Sequence, residues 1–218
     1  EESGSFDLPP YLEALSERLG NPDMVVVLDS GGPDYDHIWM TEALRGLVSG
    51  TLSVKVSHEG IHSGNSGGSI PSSFRIQRIL LDRVEDSSSG KVTIPEMHVE
   101  IPEEVRENAI SLRDIVGDSI WEQFPTVDTL RQASETTEDM IVAMNWEPTL
   151  SIIGADGIPS VQDAGNVLRT NTDLKLSFRI PPGVDSEYAT ARAKEILEKD
   201  PPYGAEVTFT PDSCSDGF

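Results

Sequence analysis

The segment Ile61-His62-Ser63-Gly64-Asn65-Ser66-Gly67-Gly68-Ser69-Ile70-Pro71 sets an imidazole at the end of an alternating strand, before a glycine-rich loop and a proline that opens an amphipathic helix. Such a loop offers an imidazole and free backbone N–H groups where negative charge develops, as an oxyanion site requires. An exposed loop histidine has the same local pattern, so residue types alone leave both readings of His62 open. Glu1 and Glu2 are adjacent carboxylates. In a loop one of such a pair can ligate a metal while the other takes a proton from metal-bound water, or both can be ordinary surface acidity. Asp29 ends the apolar run 24–28. It sits where a strand's C-terminal end presents a ligand, or it opens the turn before Gly31-Gly32. Arg179 lies mid-strand, and its planar fork suits a carboxylate, whether that of a ligand or of a structural ion pair. Asn166, after Ala164-Gly165, is a turn residue by its surroundings, and His37, His58 and His98 share no metal-cage spacing.

These residues need elements to hold them. Residues 7–20 read as a helix: Asp7 caps it, Pro9 and Pro10 enter its first turn, Leu8, Leu12, Leu15 and Leu19 form one face, and Gly20 stops it. Residues 24–28 are wholly apolar, the pattern of a strand buried on both faces of a sheet. Leu52, Val54 and Val56 alternate with polar residues in a half-buried strand, and a helix follows over 70–84. Residues 150–153 give a second strand, and Leu174, Leu176, Phe178 and Ile180 alternate with Lys175, Ser177 and Arg179 in a third. Asp185 or Ser186 caps a second helix, with Ala189, Ala193, Ile196 and Leu197 as its apolar stripe; Pro201-Pro202 ends it, and 205–210 is a fourth strand.

Strand, helix, strand, strand, helix, strand is the split βαβ order: an α+β, ferredoxin-like fold with a four-stranded antiparallel sheet and two helices on one face. The other face would carry Lys55, Ser177 and Arg179. Residues 85–144 form a long insertion with helical patches near 103–115 and 120–124, a length that suits a functional cover or a partner-contacting element.

The 218 residues carry 16 basic and 38 acidic side chains, a formal net charge of −22. That charge repels phosphate backbones and anionic headgroups, which argues against nucleic-acid and membrane partners. Cys214 is the only cysteine, so no internal disulfide forms and a reducing, cytoplasmic location is the expectation. Opening on Glu1 and ending after a loop-like 212–217, the sequence reads as a piece of a larger protein.

Five motifs stand in order: Glu1-Glu2-Ser3-Gly4-Ser5, Val26-Val27-Leu28-Asp29-Ser30-Gly31, Leu44-Arg45-Gly46, His62-Ser63-Gly64 with Gly67-Gly68, and Leu176-Ser177-Phe178-Arg179. Together they resemble the aminoacylase/carnosinase-type dinuclear zinc metallopeptidases (peptidase family M-twenty), in the cytosolic dipeptidase branch. The resemblance implies a lid or dimerisation domain over 46–210, with stubs of an α/β zinc-peptidase catalytic domain at 1–45 and 211–218. By it, Glu1 matches the general base that activates a metal-bridging water, Glu2 a zinc ligand, and Asp29 a ligand of the other zinc. His62 matches the lid histidine that reaches a neighbouring subunit's active site and stabilises the oxyanion. Arg179 matches the arginine that holds a substrate carboxylate, and Asn166 falls near a polar residue that touches substrate. The implied cofactors are two zinc ions, or manganese or cobalt, and the implied partners are a dipeptide or small peptide substrate and a second copy in a homodimer.

The family's His-x-Asp motif ahead of the double glutamate, and its last histidine ligand, are not in the sequence. A zinc site takes about four ligands. The expectation is therefore that this chain alone holds no metal and does not hydrolyse peptides. Two other readings are a free-standing ferredoxin-like module that binds a small ligand on its polar face, and an N-acyl amino acid deacylase of the same family. The long insertion counts against the deacylase.

Overall fold

Alternation decides the sheet. In Asn171–Ile180, every second side chain from Thr172 to Ile180 is buried and every residue between them is at least partly open, the period of a strand with one covered face. The computed structural model describes residues 7–28 and 31–218 and divides the chain into two units, 1–39 and 40–218.

In the first unit, helices α1 (Leu8–Ala14) and α2 (Ser16–Leu19) replace the single expected helix, with the break at Leu15. Gly20 stops the segment at φ +65°, a conformation that favours glycine. The stripe Leu8, Leu12, Leu15 and Leu19 is 43–53% exposed. The strand expected over 24–28 does not form: Met24 to Leu28 are 65–92% exposed and have no strand partner among the described residues. A strand buried on both faces needs neighbours on both sides, and the described residues of this unit supply none.

The second unit starts with β1 (Gly46–Lys55), followed by β2 (Ile61–His62), the single turn α3 (Ser63–Ser66) and helix α4 (Ser73–Leu81). The helix begins later than expected because the Ser72 hydroxyl accepts the Arg75 N–H and caps it after Pro71. Three helices follow, α5 (Glu103–Val116), α6 (Ser119–Glu122) and α7 (Thr137–Trp146). The order closes with β3 (Thr149–Asp156), β4 (Val167–Leu168), β5 (Asn171–Ile180), α8 (Ser186–Glu198) and β6 (Glu206–Ser215).

The sheet order is β3-β5-β1-β6, with every pair antiparallel. This is the ferredoxin-like arrangement expected from the sequence. Helices α4 and α8 cover one face, and Ile76, Leu80, Ala193 and Leu197 meet Leu52, Leu176, Phe178 and Phe209 in one core.

β1 starts five residues earlier than the alternation predicts, across Gly46 and Gly50. A Cβ on Gly50 would lie 2.5 Å from the Phe209 ring, so glycine is what lets that ring close the core. The sheet's register shifts beside the same residue, where Pro211 faces Gly50. Residues 211–215 complete β6, and Leu44 and Phe218 exchange backbone hydrogen bonds of 2.9 and 3.1 Å.

The insertion divides. Val92, Ile94 and Met97 belong to the main core, while Ala109, Ile120, Met140, Ile141 and Val142 form a second cluster that joins α5 to α7. An ion pair from Arg113 to Glu138 at 3.1 Å also ties these helices.

The two sheet edges differ. At β6, Lys194 Nζ donates to the Phe209 carbonyl and the Phe209 N–H donates to Glu198 Oε1, both at 2.7 Å, so α8 side chains close that edge. The β3 edge carries Ile152 and Ile153, 44% and 62% exposed.

Phe178 is fully buried in the core that the sheet forms with α4 and α8. Phe178→Ala should lower unfolding free energy by about 3–5 kcal/mol in urea melts; a loss below ~1 kcal/mol would contradict a single core here.

Candidate functional site

His62 is held from four directions. Its backbone pairs with Val167 in the two-stranded ladder β2–β4. Its carbonyl accepts the buried Ser66 hydroxyl at 3.2 Å, and the next residue, Ser63, donates its N–H to the Asn166 carbonyl at 2.9 Å. Its ring Nδ1 accepts the Gly64 N–H at 3.1 Å. The ring can lie there because Gly64 has no Cβ, which would stand 3.0 Å from the ring carbon Cε1.

An Nδ1 that accepts leaves the proton of the neutral ring on Nε2. The imidazole is exposed, so it presents Nε2–H outward as a hydrogen-bond donor. Several of the backbone donors expected to be free around the loop are taken up. The N–H groups of Ser63, Gly64, Gly67, Ser69 and Ile70 all bond within the segment or to Asn166. The short turn α3 and Asn166 take these up, and the exposed imidazole stands beside them as a side-chain donor.

Asn166 is therefore beside His62, through its main chain, and its side chain is exposed. Arg179 is elsewhere. It stands on the helix-free face near the far end of β5, between its register partners Leu47 and Thr149. β4 leads into the Asn171 end of β5, and eight residues of extended strand put Arg179 ~27 Å further along. The structure thus brings His62 and Asn166 together and separates both from Arg179.

Arg179 is exposed, and no carboxylate among the described residues lies within ion-pair distance of it. The structural ion pair left open by the sequence does not form among those residues. On the same face Lys175 is paired with Asp212 and Ser49 bonds Ser213 at 3.0 Å. Arg45, which stands in the motif Leu44-Arg45-Gly46 without an assigned role, lies near Arg179. It is half-buried, and burial first, then the nearby charge of Arg179, push its pKa down.

Glu1, Glu2 and Asp29 lie outside the described residues. Among those described, no group of three or more His, Cys, Asp or Glu side chains converges as a metal site. The described residues by themselves therefore do not make up a metal centre. No described helix is long and apolar enough to cross a membrane.

The fold is shared with solved peptidases. Human carnosine dipeptidase 1 is similar over 100% of this chain and 46% of its own, at 21% identity and a TM-score of 0.72. A metallo-carboxypeptidase of the M20 family from Sulfolobus solfataricus matches 97% of this chain and 48% of its own, at 18% identity and a TM-score of 0.66. The dipeptidase Dug1p from Saccharomyces cerevisiae matches 81% of this chain and 37% of its own, at 21% identity and a TM-score of 0.62. The chain spans less than half the length of each. No family model matches the sequence. At these identities the likeness is one of fold: the α+β architecture with its four-stranded antiparallel sheet is that of part of these peptidases.

If Gly64 N–H fixes the ring, the neutral His62 carries its proton on Nε2. Long-range nitrogen-15 NMR of the imidazole reads this directly, and a dominant Nδ1–H form would contradict the geometry. Gly64→Ala should move the ring and mix the tautomers.

Proposed function

We propose that this chain is the lid part of a metallopeptidase of the dipeptidase type, belonging to the family its motifs resemble, and that it acts on short peptides with a free carboxylate. The observation that carries the reading is the division of the two candidate groups. His62, with Asn166 beside it, stands at one end of the sheet, and Arg179 stands at the other. One copy of the chain does not bring them to one substrate. Two copies do, when His62 of one serves the site that contains Arg179 of the other.

In that arrangement His62 Nε2–H donates to the oxygen that becomes negative as the peptide carbonyl is attacked. Such a donor contributes when it is aimed at the developing charge rather than at the ground-state carbonyl. Arg179 holds the substrate's carboxylate with paired N–H donors and fixes which bond is presented. The helical insertion and the polar sheet face close around the peptide. Metal ligation by Glu2 and Asp29, proton transfer by Glu1, and two zinc ions as cofactors belong to the same proposal and rest on the motif resemblance.

The homodimer is supported by the unequal edges. β6 is closed by Lys194 and Glu198, whereas β3, an edge strand among the described residues, offers backbone beside exposed Ile152 and Ile153. An open apolar edge is suited to pairing with its own copy. The single, exposed Cys214 accords with a reducing cytoplasm.

The test is steady-state kinetics of the whole protein on a dipeptide panel. His62→Ala should lower kcat by ~10²–10³-fold, the range for removal of one oxyanion donor. Arg179→Ala should chiefly raise KM for substrates with a free carboxylate and leave their C-terminal amides unaffected. Wild-type kinetics in both variants would overturn the assignments.

A further inference from the structure

Arg45 lies one residue before β1, yet its side chain reaches past β5 to β3. One terminal nitrogen donates to the Thr149 hydroxyl at 3.2 Å and to the carbonyls of Glu147 and Ala143, at 3.2 and 3.4 Å, at the end of α7. Thr149 is the register partner of Arg179. Residues directly opposite in an antiparallel pair project from the same face. The Thr149 hydroxyl, the Arg45 guanidinium bound to it and the Arg179 side chain therefore share the helix-free face at one end of the sheet.

Three features of this pair point outward. The Nε and the second terminal nitrogen of Arg45 have no hydrogen-bond partner among the described residues. Neither arginine has a carboxylate within ion-pair distance among them, in a chain with 38 acidic side chains against 16 basic ones. Two like charges on one face, one of them half-buried, repel each other, and an anion seated between them turns that repulsion into attraction.

We propose that Arg45 is the second half of the anion site centred on Arg179, so that two guanidiniums clamp one carboxylate while the bonds from Arg45 to Thr149 and the end of α7 hold the helical insertion against the site. The inference rests on the reading of Arg179 as the carboxylate holder, and adds to it a second binding residue and a link to the insertion. A carboxylate bound this way draws Arg45 further over Arg179. The insertion, tied to Arg45 through the Ala143 and Glu147 carbonyls, is fixed by the same event.

The test is nitrogen-15 NMR of the arginine Nε–H groups in the 218-residue chain, titrated with N-acetylglycine, with N-acetylglycinamide as the neutral control. The Arg45 and Arg179 signals should move together with one Kd, and the amide should move neither. Arg45→Gln should weaken carboxylate binding at Arg179 roughly tenfold or more, as loss of a charge-assisted hydrogen bond does. Movement at Arg179 alone, or an unchanged Kd in Arg45→Gln, overturns the pairing and leaves Arg179 as a lone carboxylate holder. No movement at Arg179 overturns the Arg179 reading and the pairing with it. Thr149→Val keeps both charges and a strand-forming side chain, and so covers loss of folding in Arg45→Gln. It should bind the carboxylate several-fold more weakly, and an unchanged Kd would remove Thr149 from the site.

Discussion

The ten-residue antiparallel pairing of β1 with β5 is the constraint on which the rest depends. It sits at the centre of the sheet, buries Val48, Leu52, Leu176 and Phe178 on one face, and leaves Ser49, Lys175, Ser177 and Arg179 on the other. Because the side-chain period of a strand is two, a slip of one residue would exchange the faces: Arg179 would enter the core and Phe178 would meet solvent. The same register sets Arg179 between Leu47 and Thr149 and leaves the Asn171 end of β5 for the turn into β4, where His62 is held. One pairing therefore fixes both the burial that stabilises the domain and the separation of its two chemical ends.

Around that pairing, polar side chains do work that strands and helices leave undone. Gln77, fully buried, donates from Nε2 to the carbonyls of Leu52 and Thr172, each at 2.8 Å, and so ties α4 to the two central strands. Arg83 donates to the carbonyls of Ile196, Lys199 and Asp200 and satisfies the open end of α8. Arg45 treats the end of α7 in the same way. A buried carbonyl left without a partner costs ~1–3 kcal/mol, so Gln77 contributes to stability through the two buried oxygens it satisfies.

Much of this was legible in the sequence, and the failures have physical reasons. Alternation in 172–180 and the 3.6-residue stripe of α8 predict their elements because each buries a single face. The run 24–28 has no alternation, so composition alone suggested a buried strand, and burial depends on partners that a local pattern does not contain. Helix α7 was missed although its signature is present. Thr136 accepts the Asp139 N–H and donates to the Asp139 carboxylate, a reciprocal cap readable as Thr-x-x-Asp. The glycines after His62 suggested free backbone donors, and two of them, Gly64 and Gly67, instead donate to the His62 ring and to the Ser63 carbonyl. At the site, His62 and Asn166 are 104 positions apart in the chain and meet through the β2–β4 ladder, which residue spacing does not encode. The motif Leu44-Arg45-Gly46 shows Arg45 but not its role, because its three acceptors, on Ala143, Glu147 and Thr149, lie about a hundred positions away.

The account stands on the claim that His62 and Arg179 of one chain serve different substrate sites. Mixing two impaired forms of the whole protein, one with His62→Ala and one with Arg179→Ala, and assaying a free-carboxylate dipeptide well below the KM of the Arg179→Ala form, tests it most directly. In a mixed pair one site keeps Arg179 from the first chain and His62 from the second, so turnover should return to roughly half that of wild type per mixed pair, with one of two sites intact. If both groups serve the same site within one chain, every site in the mixture keeps a defect. Activity would then stay at the level of the separate variants, and the account would be contradicted.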